Sequence, residues 1–154
     1  AYAPDGIGGY AWIPANITNW YRDTSAEFAE LYGEPLNALA FFHIPFPEFE
    51  TVWEKGLCVG VKQEEVCSPR LNSGLFTAMY ECGDVSGVFV GHDHVNDYDG
   101  ELHGIRLCYG RGSGYNTYGR EGFPRGARVI CLREGARGFE TWLRLADGSR
   151  LLQT

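Results

Sequence analysis

A short apolar run that ends in two closely spaced histidines constrains the fold of this 154-residue chain more than any other stretch. Residues 88–90 are apolar, two of them are β-branched, and Gly91 follows, which is the pattern of a buried strand that stops at a turn. His92 and His94 come next, with one residue between them. Residues i and i+2 at a strand end project to the same side, so both imidazoles can reach one small volume. Because imidazole is the commonest side-chain metal ligand, the run predicts a metal site at the rim of a sheet.

A third histidine, His43, follows a second run of the same kind. Leu36–Phe42 is short and mostly apolar, and Pro45 and Pro47 prevent it from continuing as a central strand. Neighbouring strand ends lie about 5 Å apart, so His43 and His92 can meet although 49 residues separate them. Three histidines and an open position suit a hydrolytic zinc ion, which lowers the pKa of a bound water to about 7. The alternative is a set of loop histidines that bind no metal.

Helices and strands alternate in the first ninety residues. The predicted elements are a helix from Thr18 or Asn19 to Tyr32 that stops at Gly33, a strand at Leu36–Phe42, a short helix from Glu48 to about Lys55, a helix from Ser73 that ends before Gly83, and a strand from Asp84 to Val90. In open α/β sheets, ligands bind at the carboxyl ends of strands. Both histidine-bearing strands follow that rule.

The last third of the chain has a different pattern. Glu101–Tyr109, Ala127–Arg133 and Phe139–Leu145 alternate apolar and polar residues and are separated by glycine-rich turns. We interpret them as an antiparallel section that finishes one sheet of an α/β sandwich. With no linker or internal repeat in view, residues 1–154 are predicted to form a single α/β domain.

Charge and hydropathy exclude some classes of partner. The formal net charge of −7 disfavours a protein that grips a nucleic acid backbone. No run of 18 apolar residues is present, so no membrane span is expected. The first residues lack the pattern of a signal peptide and the chain does not start with Met, which suggests a processed or truncated product.

Five cysteines occur, an odd number, and none has C-x-x-C spacing, which excludes a zinc ribbon or a thioredoxin-like motif. Cys58 and Cys67 bracket a short polar loop and could close it by a disulfide. The cysteines do not decide the cellular compartment.

Ordered motifs along the chain resemble a known family. Gly-His-Asp-His-Val-Asn-Asp at 91–97, preceded by Phe-Phe-His-Ile-Pro at 41–45, is similar to the C-terminal half of calcineurin-like metallophosphoesterases. The nearest branch is the purple-acid-phosphatase-related proteins. Further matching stretches cover nearly the whole chain and lie at 9–13, 72–77, 104–110 and 114–119.

The resemblance implies a phosphoric ester hydrolase with two metal ions (iron, zinc or manganese) on a two-sheet α/β sandwich. His43 and His92 would bind one ion and His94 the other, and a metal-activated hydroxide would attack phosphorus. The substrate would be a small-molecule phosphoester or a phosphoprotein. The same resemblance favours a secreted, vacuolar or lumenal location.

The remaining metal ligands of that family are missing from this chain. They come from D-x-H, G-D-x-x-D and G-N-H motifs, whereas residues 83–87 lack the second Asp and no Gly-Asn-His occurs. We therefore expect the N-terminal half of the same domain, or a separate chain, to supply them. One alternative is a non-catalytic structural or assembly domain that retains a partial site, and another is a stand-alone single-zinc hydrolase.

Several further residues are weaker candidates for the site. Arg111, Tyr115 and Tyr118 lie in a glycine-rich loop that could contact phosphate or could simply be packed by its aromatic rings. Asp93 could orient an imidazole, but as a strand-end residue it is expected to point away. His103 is expected at the surface or in a pocket wall.

Overall fold

The computed structural model describes residues 2–153, which form three helices and eight strands in two sheets. The helices are α1 (Ala15–Tyr32), α2 (Glu48–Glu54) and α3 (Leu75–Cys82). The strands are β1 (Ala38–Phe41), β2 (Cys58–Val59), β3 (Val85–Val90), β4 (Asp99–Leu102), β5 (Ile105–Tyr109), β6 (Gly126–Cys131), β7 (Glu140–Leu145) and β8 (Arg150–Leu151).

The larger sheet has the strand order β1-β3-β5-β4-β2. β1, β3 and β5 are parallel, so their carboxyl ends meet at one edge of the sheet. β4 runs antiparallel to both of its neighbours, and β6, β7 and β8 form a separate antiparallel sheet. The structure is therefore mixed α/β, as predicted, and consistent with half of a two-sheet sandwich.

The hydrophobic core lies where the helices meet the larger sheet. α2 packs against β4, and α3 packs against β3 and α1. Core side chains that are completely buried include Phe49, Val52, Val88, Leu107 and Tyr109. Each such side chain contributes about 1.5–3 kcal/mol of burial free energy, which fixes the parallel strands and hence the positions of their carboxyl ends.

Helix α1 begins earlier than predicted. Pro14 is its N-cap residue, with extended backbone angles, and the predicted cap Thr18 lies inside the helix. The predicted stop is confirmed, because Gly33 has a φ of 80° in the left-handed region.

Helix α1 carries large apolar side chains that are exposed. Trp20 is 63% exposed, Leu31 69% and Tyr32 60%. The helix packs on α3, and much of its apolar surface remains open to solvent.

The predicted strand at Glu101–Tyr109 is two strands, β4 and β5. His103 and Gly104 join them with φ values of 51° and 81°, the left-handed pair typical of a tight hairpin turn. The last third was predicted to finish one sheet, whereas it contributes strands to two. β4 and β5 belong to the larger sheet, and β6–β8 form the second sheet.

The five cysteines are free thiols, so the Cys58–Cys67 disulfide is not formed. Among residues 2–153, no helix combines the length and apolarity needed to cross a bilayer.

Candidate metal centre at the carboxyl ends of the parallel strands

The backbone hydrogen bonds of the β1–β3 pair continue past the strand ends and bring two histidines together. Phe42 donates its N–H to the Phe89 carbonyl at 3.2 Å, and Gly91 donates to the His43 carbonyl at 3.0 Å. The ring centroids of His43 and His92 lie 5.2 Å apart. The predicted meeting of strand-end histidines is thus present in the geometry.

Two backbone features accompany this close approach. A Cβ added to Gly91 would lie 3.4 Å from the His43 Nδ1, an ordinary van der Waals contact, so the imidazole packs directly beside the Gly91 backbone. His92 has a φ of 72°, a left-handed conformation that side-chain-bearing residues adopt at an energetic cost and that is common at functional sites.

The three histidines share one cleft. Its volume is about 220 Å³, and its lining consists of His43, residues 91–94, residues 110–114 and Thr117. β3 ends at Val90, so His92 and His94 lie in a loop and not on the strand itself. The alternation of strand side chains therefore does not explain why they share a cleft. The left-handed turn at His92 and the loop after β5 provide the explanation.

A buried carboxylate fixes the ring of His92. Asp93 Oδ1 lies 3.0 Å from His92 Nδ1, and Oδ2 accepts hydrogen bonds from the Tyr109 hydroxyl at 2.6 Å and the Cys67 N–H at 3.2 Å. A carboxylate oxygen is an acceptor, so in the neutral imidazole the favoured tautomer carries its proton on Nδ1 and its lone pair on Nε2. The expectation that Asp93 points away is wrong, because the left-handed turn at His92 directs it inward.

Tyr118 holds His94 in place from three directions. Its carbonyl oxygen lies 3.0 Å from His94 Nδ1, its ring stacks on the imidazole at 4.1 Å, and its hydroxyl accepts the His94 N–H at 3.0 Å. The same hydroxyl donates to Glu64 Oε2 at 2.9 Å. A carbonyl only accepts, so His94 also presents Nε2 with a free lone pair.

The electrostatics favour a neutral His43. Burial lowers its pKa first, and the neighbouring His92 and His94 lower it further. The site thus combines a neutral imidazole with two imidazoles whose tautomers are fixed by hydrogen bonds at Nδ1. Imidazole nitrogens of this kind are donors that transition-metal ions favour.

The predicted substrate contacts are placed differently. The Arg111 guanidinium is buried, where it pairs with Asp97, donates to the Pro124 carbonyl at 2.7 Å and stacks 3.2 Å from the centre of the Phe123 ring. It therefore anchors the loop from inside the protein and is not available as a free phosphate ligand. Tyr115 is 77% exposed and remains a predicted substrate contact.

Asn96 and Asp97 hold a distant loop against the site, a role that the sequence analysis missed. Asn96 Oδ1 accepts the N–H groups of Gln63 and Glu64 at 2.9 and 3.1 Å, and Asp97 Oδ1 accepts that of Val61 at 3.0 Å. The available signal was an Asn-Asp pair that begins two residues after His94. It brings Glu64 to Tyr118 and Cys67 to Asp93.

Asp84, from the stretch that lacks the second Asp of the family motif, and the candidate His103 both lie away from the cleft. Asp84 is at the amino end of β3, where it accepts a hydrogen bond from Tyr21. His103 lies in the β4–β5 turn and packs near Phe76 and Tyr80, in a pocket wall as expected.

Comparison with known proteins identifies relatives of the chain. Probable inactive purple acid phosphatase 29 of Arabidopsis thaliana is 43% identical over 90% of this chain and 40% of its own length. Probable inactive purple acid phosphatase 14 of the same plant is 43% identical over 96% of this chain and 41% of its own. Phosphatase DCR2 of Saccharomyces cerevisiae is 33% identical over 89% of this chain and 25% of its own. The chain thus spans about two fifths of the plant relatives. No family model and no solved structure matches it.

Proposed function

We propose that this chain takes part in metal-dependent hydrolysis of phosphoric esters. The proposal rests on its homology, over nearly its whole length, to purple acid phosphatase-like proteins of the calcineurin-like metallophosphoesterase superfamily. Its contribution is the histidine half of a two-ion centre, made of His43, His92 and His94. The observation that carries the proposal is the convergence of these three imidazoles in one cleft, two of them with fixed tautomers.

Each residue has a distinct task. His43 and His92, whose rings are 5.2 Å apart, bind one ion, and His94 binds the other. Asp93 and Tyr118 position the rings of His92 and His94 so that less ordering is needed when an ion binds. The bound ions, iron, zinc or manganese, supply positive charge to the phosphoryl oxygens and acidify a water molecule.

The charge distribution supports a cation-dependent site. Arg111, the arginine that lines the cleft, is paired with Asp97, and the chain carries a formal net charge of −7. An anionic phosphoester therefore needs bound ions to offset its charge. Tyr115, exposed on the glycine-rich loop, would contact the phosphate of the substrate.

The N-terminal half of the domain supplies the remaining ligands, either on the same polypeptide or as a separate chain. β1 is an edge strand of the larger sheet, and Phe41 on it is 62% exposed. An apolar cavity of about 450 Å³ lies between β1 and α1, lined by Trp20, Phe28 and other side chains. An exposed strand edge beside an apolar helix face is a surface that a further part of the sheet would cover.

A second candidate function is a non-catalytic domain that keeps a partial site. The Arabidopsis relatives are named "probable inactive" purple acid phosphatases, which favours this candidate. The two candidates differ in their expected activity, since the second predicts metal binding without ester hydrolysis.

Metal content and hydrolysis, measured on the protein at its native length, separate these functions. We expect bound metal by elemental analysis after dialysis against Zn²⁺ or Mn²⁺, and metal-dependent hydrolysis of p-nitrophenyl phosphate. His43→Ala and His94→Ala should each reduce both, whereas His103→Ala, a matched histidine outside the cleft, should change neither. Metal without hydrolysis would select the second function, and metal content unaffected by the cleft variants would refute the histidine assignment.

A further inference from the structure

We propose that Cys67, His92 and Asp93 form a second metal position, which shares His92 with the histidine cleft and takes one thiophilic cation such as Zn²⁺. One donor atom from each of the three side chains lies within 4.8 Å of the other two. This position lies on the Nδ1 side of His92, whereas the histidine cleft uses Nε2. It does not depend on the proposed phosphoester hydrolysis.

Cys67 is held at this place by hydrogen bonds. Its own N–H donates to Asp93 Oδ2 at 3.2 Å. Residues 61–64, earlier in the same loop, are fixed on Asn96 and Asp97. Cys67 thus belongs to a segment whose position beside Asp93 is fixed by backbone hydrogen bonds.

The distances suit a tetrahedral ion after a small movement. Zinc binds sulfur at about 2.3 Å and nitrogen or oxygen at about 2.0–2.2 Å, so adjacent nitrogen and oxygen donors lie about 3.3 Å apart. His92 Nδ1 and Asp93 Oδ1 are 3.0 Å apart. Since the donor atoms lie within 4.8 Å of one another, the sulfur has to approach by no more than about 1 Å, and a fourth position is left for water.

Binding releases one proton to solvent and shifts another within His92. The Cys67 Sγ–H proton leaves, and the His92 proton moves from Nδ1 to Nε2, so the metal takes the place of both protons. An ion at this position therefore competes with an ion of the histidine cleft for His92. The adjacent Asp93 carboxylate attracts a divalent cation, and a bound divalent cation deprotonates a coordinated thiol.

Asp93 changes partner when the ion binds. Oδ1 moves from accepting the His92 proton to ligating the metal, while Oδ2 keeps the Tyr109 hydroxyl and the Cys67 N–H. These two hydrogen bonds hold the carboxylate in position in both states, which is the support that a ligating carboxylate requires.

Titration of the protein with Co²⁺ tests the site, because a thiolate ligand gives cobalt a charge-transfer band in the near ultraviolet. We expect one equivalent of Co²⁺ to produce that band and excess Zn²⁺ to abolish it. Cys67→Ser should remove the band, whereas the matched variant Cys58→Ser should retain it. Far-ultraviolet circular dichroism of each variant checks that it is folded.

Two further outcomes keep this test separate from that of the histidine cleft. His43→Ala should leave the cobalt–thiolate band unchanged even where it lowers total metal content. Absence of the band in the unmodified protein, or its persistence in Cys67→Ser, would overturn the proposal and show a thiol that is merely packed against Asp93.

Discussion

The hydrogen bond from Tyr109 to Asp93 is expected to stabilise both the fold and the orientation of His92. Tyr109 is completely buried, Asp93 is 1% exposed, and their oxygens are 2.6 Å apart. Tyr109→Phe keeps the ring but leaves Asp93 Oδ2 with only the Cys67 N–H. Hydrogen bonds to charged groups contribute about 1.5–3 kcal/mol, so we expect a loss of about 2 kcal/mol in the free energy of unfolding. For a chain of this length, that lowers Tm by roughly 4–8 °C.

Tyr98→Phe is the matched control. Tyr98 is also completely buried, its ring contacts that of Tyr109 at 4.8 Å, and its hydroxyl donates to the uncharged Phe49 carbonyl at 2.8 Å. A bond between neutral groups contributes about 1 kcal/mol, so Tyr98→Phe should cost about half as much in urea-induced unfolding.

Only the Tyr109 variant should also weaken metal binding, by about 10-fold, because it loosens a group that orients a metal-binding histidine. Equal unfolding free energies for the two variants, or equal metal affinities, would refute the reasoning that charge makes the Tyr109–Asp93 contact the stronger one.

Three further predictions concern other parts of the chain. His92→Gly should be more stable than His92→Ala by about 1 kcal/mol in urea denaturation, because glycine adopts the φ of 72° without strain; equal stabilities would mean that the turn relaxes. Arg111→Met should cost about 3–5 kcal/mol, since it leaves Asp97 buried without its partner; unchanged stability with weaker phosphate binding would instead restore Arg111 as a substrate ligand. Burial and Asp99 raise the pKa of the Cys58 thiol to about 12. Alkylation of Cys58 by iodoacetamide at pH 9 should therefore be at least about 100-fold slower in the native protein than in urea. Similar rates in the two conditions would show that the thiol is not shielded.

The meeting of His43 and His92 was predictable from the sequence. Two short apolar runs, each ending before a histidine, can pair only in a few ways, and parallel pairing places both ends at one edge. The helix stop at Gly33 was predictable for a similarly local reason, since glycine alone tolerates the left-handed cap at no steric cost.

The partners of the histidines were not predictable, because they depend on the paths of long loops. Tyr118 meets His94 only because the loop after β5 folds back, and that loop is held by the buried Arg111–Asp97 pair. The sequence shows an arginine in a glycine-rich loop but not whether it faces inward or outward. Asp93 was misplaced because strand alternation was extended to a residue beyond the strand end, after a left-handed turn.

The parallel pairing of β1 with β3 has a consequence for the order of events during folding. The pair joins segments whose histidines are 49 residues apart, and closing a chain loop of that length costs on the order of 4 kcal/mol in entropy. An unfolded chain therefore cannot offer both imidazoles to one ion with useful affinity. A cation that binds His43 and His92 together therefore binds only molecules in which β1 has already paired with β3. Metal uptake would report on completed folding of this sheet, and the bound metal would stabilise the sheet by mass action.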